Sequence, residues 1–412
     1  MAAIFAAESG AKTIVFETNT ATGRKLLLTG GGRCNITHDC DIKDFVRAFG
    51  DKSSFVRHCL YEFGPEDLRK FFADKGLPTK VQDDGCVFPA SEKSSDVRDV
   101  LVTEAKRVGV QFLYGRHIEK IENKGLDFTI SSNKETFVSK KVIIATGGVS
   151  YPQTGSRGDG YKFAQKFGHT IIEPKAALVP LITAESWPGR LAGTTLEFVK
   201  ITAKPATRTA GKIENKKITS SGALIFTQDG IGGPAVLDLS RLITDTLSAG
   251  IKPIPVSIDT IDSMDNAELE KRFLELCEEN PRKTLRGILD LFYPQRFAAR
   301  FCEEFGSDAS KIARQMEKSE RKRLIKILKA LPLAITATRP VEEATITRGG
   351  VSTDQINPKT MESLVCPGLY FVGEVIDVDG PCGGFNLQFA FSSGCLAGKP
   401  AAYVFQTRID TD

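Results

Sequence analysis

The chain has 412 residues, enough for two or three domains, and its 41% hydrophobic and 26% charged residues are ordinary for a globular protein. No apolar run approaches the ~18 residues of a membrane helix. The alanine-rich start has no basic leader segment and is interrupted by Glu8, which argues against a secretory signal, and a net charge of +4 says little about partners.

Nine cysteines are scattered along the chain with no C-x-x-C pair. That pattern predicts free thiols in a reducing compartment, and hence a cytoplasmic location. The four histidines, His38, His58, His117 and His169, do not fall at ligand spacing with these cysteines, so no metal site is expected.

In chain order, residues 2–9 read as a helix and 12–17, "KTIVFE", as a strand ending in an acid, Glu17. In a nucleotide-binding βαβ unit such an acid accepts from ribose hydroxyls. The G-x-G-x-x-G turn of that unit occurs nowhere. Its nearest match, "GIGGPA" at 230–235, is followed by a proline-broken stretch, "GIKPIPVSID", that carries its acid late, and reads as a turn opening a helix with Pro234 near its first position. "TGRKLLLTGGGRCN" is a basic loop in which Gly30, Gly31 and Gly32 free the backbone to approach a ligand, flanked by Arg24, Lys25 and Arg33. Cys34 beside it is either a buried small residue or a redox thiol.

Residues 65–75 and 94–108 carry helical periodicity, and 110–140 short alternating strands. "KKVIIATGG" is a continuous apolar strand that ends at Gly147, as a strand buried on both faces reads. Tyr151, Arg157 and Asp159 follow among glycines as turn-formers or substrate-side residues. From 176 to 260 the text is β-like, and from 262 to 330 helical and charged. Residues 281–330 hold 13 Lys/Arg against 6 Asp/Glu, and "KSERKRLIKILKA" is a basic amphipathic helix.

Near 331 strand-like text returns, ending in "GLYFVGEVIDVDGPCGGFNLQFAFSSGCLAG". This is a strand, an acid-bearing turn, a glycine pair and a small-residue helix, whose N-terminus suits a phosphate or a carbonyl. Glu374, Asp377 and Asp379 lie close in sequence. Cofactor contact and turn structure explain them better than a metal. Gly394 and Gly398 cost helix stability, so close packing is expected there.

Four blocks, "GRKLLLTGGGRCNIT", "KKVIIATGGVSYPQTGSRGDGY", "TRGGVSTDQINPKTMES" and "PGLYFVGEVIDVDGPCGGFNLQFAFSSG", closely resemble the BaiN/RdsA-type NAD(P)/FAD-dependent oxidoreductases over essentially the whole chain. The resemblance implies an α/β fold: a Rossmann-like FAD-binding domain (1–175 and 341–412), an inserted β-barrel-like substrate domain (176–261 and 331–340), and a small helical domain (262–330). Members of the family begin with a strand and a "GGGAAGL"-type turn before the helix at "MAAIFAAE". The expectation is therefore that the first strand and pyrophosphate loop are missing here, and that this chain binds FAD poorly. Two departures from the family pattern are Cys382 in place of a threonine, and Gln228 and Gly232 in "FTQDGIGGP" in place of a histidine and a serine.

By carry-over, Glu17 holds the adenosine ribose. Arg24 and Lys25 lie near phosphate or flavin, and Gly30, Gly31, Gly32 and Asn35 beside the isoalloxazine. Gly147 follows the returning strand. Gly373, Glu374, Asp379, Gly383, Gly384, Asn386 and Leu387 hold the ribitol and pyrimidine edge. Cys34 and Tyr151 are the weak catalytic candidates. The activity implied is hydride transfer from NAD(P)H through the flavin to a C=C or related acceptor, with a small molecule or a uridine of ribosomal RNA as substrate. The alternative is a truncated, flavin-free protein without activity.

Overall fold

The computed structural model describes residues 1–204, 206–209, 212–215 and 217–401. It divides into two compact units, residues 1–175 with those from 346 on, and residues 176–345.

The first unit is built on short parallel strand pairs. Ile14–Glu17 runs beside Gln111–Tyr114, from Ile14 opposite Gln111 to Glu17 opposite Tyr114. Val142–Ile144 runs beside Leu369–Phe371. Leu369, Tyr370 and Phe371 are all buried, because strands covered on both faces need apolar side chains in both directions. A three-stranded antiparallel sheet, Ile118–Lys124, Asp127–Ser132 and Thr136–Ser139, alternates instead. Its Phe128, Ile130 and Ser132 face inward, as a sheet with one covered face requires.

Helix Ala2–Glu8 lies on helix Phe385–Ala401, and two glycines make this possible. A Cβ on Gly398 would stand 2.5 Å from the Ala2 carbonyl oxygen and 2.8 Å from the Phe5 Cβ, and one on Gly394 3.2 Å from the Ala2 nitrogen. The helical penalty of each glycine, about 1 kcal/mol, is offset by the backbone approach it permits.

The second unit contains a closed six-stranded barrel in the order Leu181–Thr183, Gly230–Gly232, Ile218–Thr227, Thr195–Ala203, Ile254–Asp259, Leu331–Thr338. The "GIGGPA" turn belongs to it. A Cβ on Gly230 would stand 2.0 Å from the Leu181 carbonyl oxygen, and Gly233 has φ +89 with the Ala223 oxygen 2.7 Å from its Cβ position. Pro234 then opens helix Pro234–Ser248 at its first turn. These glycines serve barrel closure. Helices Asn266–Glu279, Leu285–Leu289, Gln295–Glu304 and Lys318–Lys329 bury Phe273, Phe297, Phe301 and Leu328 in one core with the barrel's Leu224, Phe226 and Ile258. The helical segment shares its core with the barrel, and the two compact units divide at 175/176 and 345/346.

One buried histidine ties stability to pH. His169 is 4% exposed, and its Nε2 lies 2.8 Å from the Ser363 hydroxyl. That hydroxyl already accepts from the Val365 and Cys366 amides, so its proton is donated to Nε2. Among the described residues the Nδ1 has no partner. Burial lowers the pKa below the ordinary 6.5 and holds the ring neutral. The unfolded chain binds this proton first, so the contribution is complete above about pH 6.5 and is lost as pH falls below it.

Two outcomes follow for denaturation experiments. Gly398→Ala costs about 1–3 kcal/mol in urea unfolding, because the added methyl meets backbone. Unchanged stability would show that the two helices separate freely. The melting temperature of the native chain drops as pH falls below about 6.5, and His169→Gln, which keeps an acceptor for Ser363 but cannot titrate, flattens that slope.

Candidate functional site

The first glycine-rich loop is a 3-10 turn, Leu26–Gly32, broken at Thr29, Gly30 and Gly31. Gly30, Gly31 and Gly32 have φ of 56, 66 and 90. All three lie in the left-handed region that side chains disfavour. Gly30 is packed, with the Asn35 nitrogen 3.0 Å and the Phe88 ring 3.1 Å from its Cβ position. Gly31 and Gly32 face open space. Asn35 accepts from the Val87 amide at 3.1 Å and ties the loop to strand Cys86–Pro89. The Arg33 guanidinium lies 4.3 Å over the Phe88 ring.

Lys25 bonds to side chains far from it in sequence. Its Nζ donates to Glu374 Oε2 and to the Ser150 hydroxyl, each at 2.6 Å. Glu374 Oε1 accepts from the Thr347 amide at 2.8 Å and from Ser150 at 3.3 Å. Thr347 Oγ1 in turn accepts from the amides of Val149 and Ser150. A Cβ on Gly148 would stand 2.2 Å from Thr347 Oγ1, and Gly147, at φ +71, would bring one within 3.7 Å of Glu374 Oε2. The glycines after strand Val142–Ile144 therefore make room for this network.

The second glycine pair, Gly383 and Gly384, has φ of 112 and 97. A Cβ on Gly384 would stand 2.3 Å from the Thr37 carbonyl oxygen. The first bond of helix Phe385–Ala401 runs from the Gln388 amide to the Gly384 oxygen, so the three amides before Gln388 have no intrahelical acceptor and carry the positive end of the helix. Asn386 accepts from the Gly380 amide and donates to the Gly380 and Pro381 oxygens, closing the preceding loop on itself. Gly373 donates to the Ser393 hydroxyl at 3.0 Å. Leu387 packs with the core of Phe72 and Phe391.

The three neighbouring acids do not converge. Glu374 pairs with Lys25, Asp377 with Lys52 at 2.5 Å, and Asp379 faces Arg348 at 3.8 Å. Each carboxylate has its own cation, and this is not the geometry of a shared metal. The Tyr161 phenol is buried without a partner among the described residues, and burial together with Glu374 and Asp377 raises its pKa.

Elsewhere, Glu17 Oε1 accepts from the Asn19 amide at 2.8 Å and from Asn19 Nδ2 at 2.9 Å. Arg24 is exposed, with a long 3.5 Å contact to Thr20. Cys34 is fully buried with Ile36, Leu68 and Phe72, and burial pushes its thiol up to about 11. It is neutral and sealed off in the fold. Tyr151 adopts φ 52 at the head of a 3-10 turn. Ser150 and Thr347, central to the network, stand inside the motif blocks but carry no pattern that separates them from turn residues.

The Lys25–Glu374 pair is testable in isolation. Its side chains are 22% and 21% exposed, so the coupling is only partly screened. A double-mutant cycle with Lys25→Met and Glu374→Gln gives a coupling of about 1–3 kcal/mol in unfolding free energy. A value near zero would mean that water replaces either partner freely.

Comparison with known proteins identifies the family. The family described as "HI0933-like protein Rossmann domain" matches residues 1–400. The 3-dehydro-bile acid delta(4,6)-reductase of Clostridium scindens is 32% identical over 98% of this chain and 96% of its own. The ribosomal RNA dihydrouridine synthase of Haemophilus influenzae is 30% identical over 94% of this chain and 92% of its own. The protein with this sequence belongs to the HI0933-like Rossmann-domain family of oxidoreductases.

Proposed function

We propose that this chain is an FAD-dependent reductase that saturates a C=C bond conjugated to a carbonyl, with a uridine in RNA as the favoured substrate. The residues present fit a flavin nucleotide. Glu17 Oε2 accepts from no described donor, which leaves it for a ribose hydroxyl. The open backbone of Gly31 and Gly32 and the N-terminus of helix Phe385–Ala401 supply donors for ring carbonyls. Thr37 Oγ1, on strand Thr37–His38, and Gln388 Oε1, on that helix, are buried without partners among the described residues. FAD, when bound, supplies the hydride chemistry, with NAD(P)H as the electron donor. Lys25 and Glu374 act by position: they hold the glycine loop to the turn after strand Leu369–Phe371.

The reaction class is supported by the relatives' names. A delta(4,6)-reductase acting on a 3-dehydro steroid acid and a dihydrouridine synthase both add two hydrogens across a C=C conjugated to a carbonyl. The choice of RNA rests on one observation. Lys318, Lys322 and Lys326 stand four residues apart on helix Lys318–Lys329, all exposed and without an acidic partner among the described residues, while Arg321 and Lys329 are paired with Glu270 and Asp259. Residues at that spacing share a face, and an unpaired cationic stripe is a phosphate-binding footprint.

The deciding experiment has two stages. If the contacts named here suffice without the pyrophosphate loop, protein purified after adding FAD carries an absorption band at about 450 nm through gel filtration; a colourless protein overturns the flavin reading. RNA binding then weakens steeply with salt, and the triple change of Lys318, Lys322 and Lys326 to Glu lowers the log–log salt slope by about 2. Salt-insensitive reduction of a small enone, unaffected by that change, would place the activity with small molecules.

A further inference from the structure

The two glycine loops meet on the short strands Thr37–His38 and Cys86–Pro89, and two thiols stand at that meeting point. Cys86 lies opposite His38 in the antiparallel register. Cys382 belongs to the loop from Gly380 to Gly384. A Cβ on its neighbour Gly383 would lie 3.8 Å from the Cys86 Sγ and 3.3 Å from His38 Nδ1. His38 pins the loop there. Its Nδ1 lies 3.2 Å from the Gly383 carbonyl oxygen, which accepts only, so Nδ1 carries the proton. Its ring stacks on Phe385 at 5.0 Å. The Asn386 clasp to Gly380 and Pro381 fixes the other end.

Of the nine cysteines, six are buried and Cys40 is exposed. Cys86 and Cys382 are the two at intermediate depth, and neither is in a disulfide. Cys382 is near enough to act electrostatically on Cys86. Burial and the adjacent Asp84 push the Cys86 thiol up to about 12, which slows its own reaction with an oxidant.

We propose that Cys86 and Cys382 form an oxidant-responsive dithiol, and that its disulfide locks the Gly380–Gly384 loop onto strand Cys86–Pro89. A peroxide oxidises Cys382: a sulfur–oxygen bond forms, the peroxide O–O bond breaks, and water leaves. The Cys86 sulfur then attacks that sulfur. The S–S bond forms, the S–O bond breaks, and the departing hydroxide takes up the Cys86 thiol proton, passed through the Asp84 carboxylate, as water. In total two thiols are oxidised and one peroxide becomes two waters. The bond joins a strand to the loop that opens helix Phe385–Ala401, so it stiffens the helix entrance. This holds whether or not a flavin binds.

The test uses the full chain, treated with stoichiometric hydrogen peroxide and mapped by mass spectrometry without reduction. The expected result is one cross-linked peptide pair carrying Cys86 and Cys382, lighter by about 2 Da than the sum of the reduced peptides and separated by dithiothreitol. Slower hydrogen exchange at the amides of residues 383–385 should accompany it. In Cys86→Ser the reaction stops at a dimedone-trappable Cys382, and in Cys382→Ser residue 86 stays reduced. A dimedone adduct on Cys382 that accumulates in the native chain without a cross-link, or a cross-link to Cys40 instead, overturns the proposal. So does a cross-link with unchanged amide exchange, since the loop would then not be locked.

Discussion

The Glu374 carboxylate is the constraint on which the first unit depends. It sits about four-fifths out of water, where a charge is tolerated only with a cation and donors around it. The fold meets that demand from three separate stretches. Lys25 supplies the charge, Ser150 and the Thr347 amide supply donors, and the glycines at 147 and 148 supply the space. Because these stretches are far apart in sequence, the carboxylate acts as a hub that sets the glycine loop, the turn after strand Val142–Ile144 and the start of strand Ile346–Val351 relative to one another.

Around that hub, glycine works through close backbone approach rather than flexibility. Gly384 against the Thr37 carbonyl and Gly398 against the Ala2 carbonyl leave no room for a methyl group. Gly31 and Gly32 have room but adopt φ that side chains avoid, and so they present bare backbone outward. The first kind assembles the helices and strands. The second kind leaves a surface that a planar, electron-rich ring or a phosphate can reach. The same residue type thus serves packing and recognition within one unit.

The second unit separates apolar and cationic work on a single helix. Leu324, Ile325 and Leu328 of helix Lys318–Lys329 enter the core shared with the barrel, while Lys318, Lys322 and Lys326 stay in solvent. Ion pairs to Glu270 and Asp259 fasten the helix at Arg321 and Lys329. Burial on one face is what makes the opposite charged face affordable.

Periodicity and turn chemistry were legible in the amino-acid sequence because they are local. The helices at 65–73 and 94–107, the alternating strands of 118–139, the Pro234 helix start and the close packing at Gly394 and Gly398 all follow from residues within a few positions of one another. The glycine loops were legible for the same reason. The pairing of charges was not. Lys25 and Arg24 are adjacent and alike in sequence, yet one is committed to a carboxylate 349 residues away and the other is exposed. Glu374, Asp377 and Asp379 look like one acidic group and are divided among three cations. Cys34 follows a glycine loop and is sealed in a core. Local pattern decides where a strand or helix runs and which face is apolar. Which charge meets which, and which thiol is reachable, depends on segments brought together only when the chain folds.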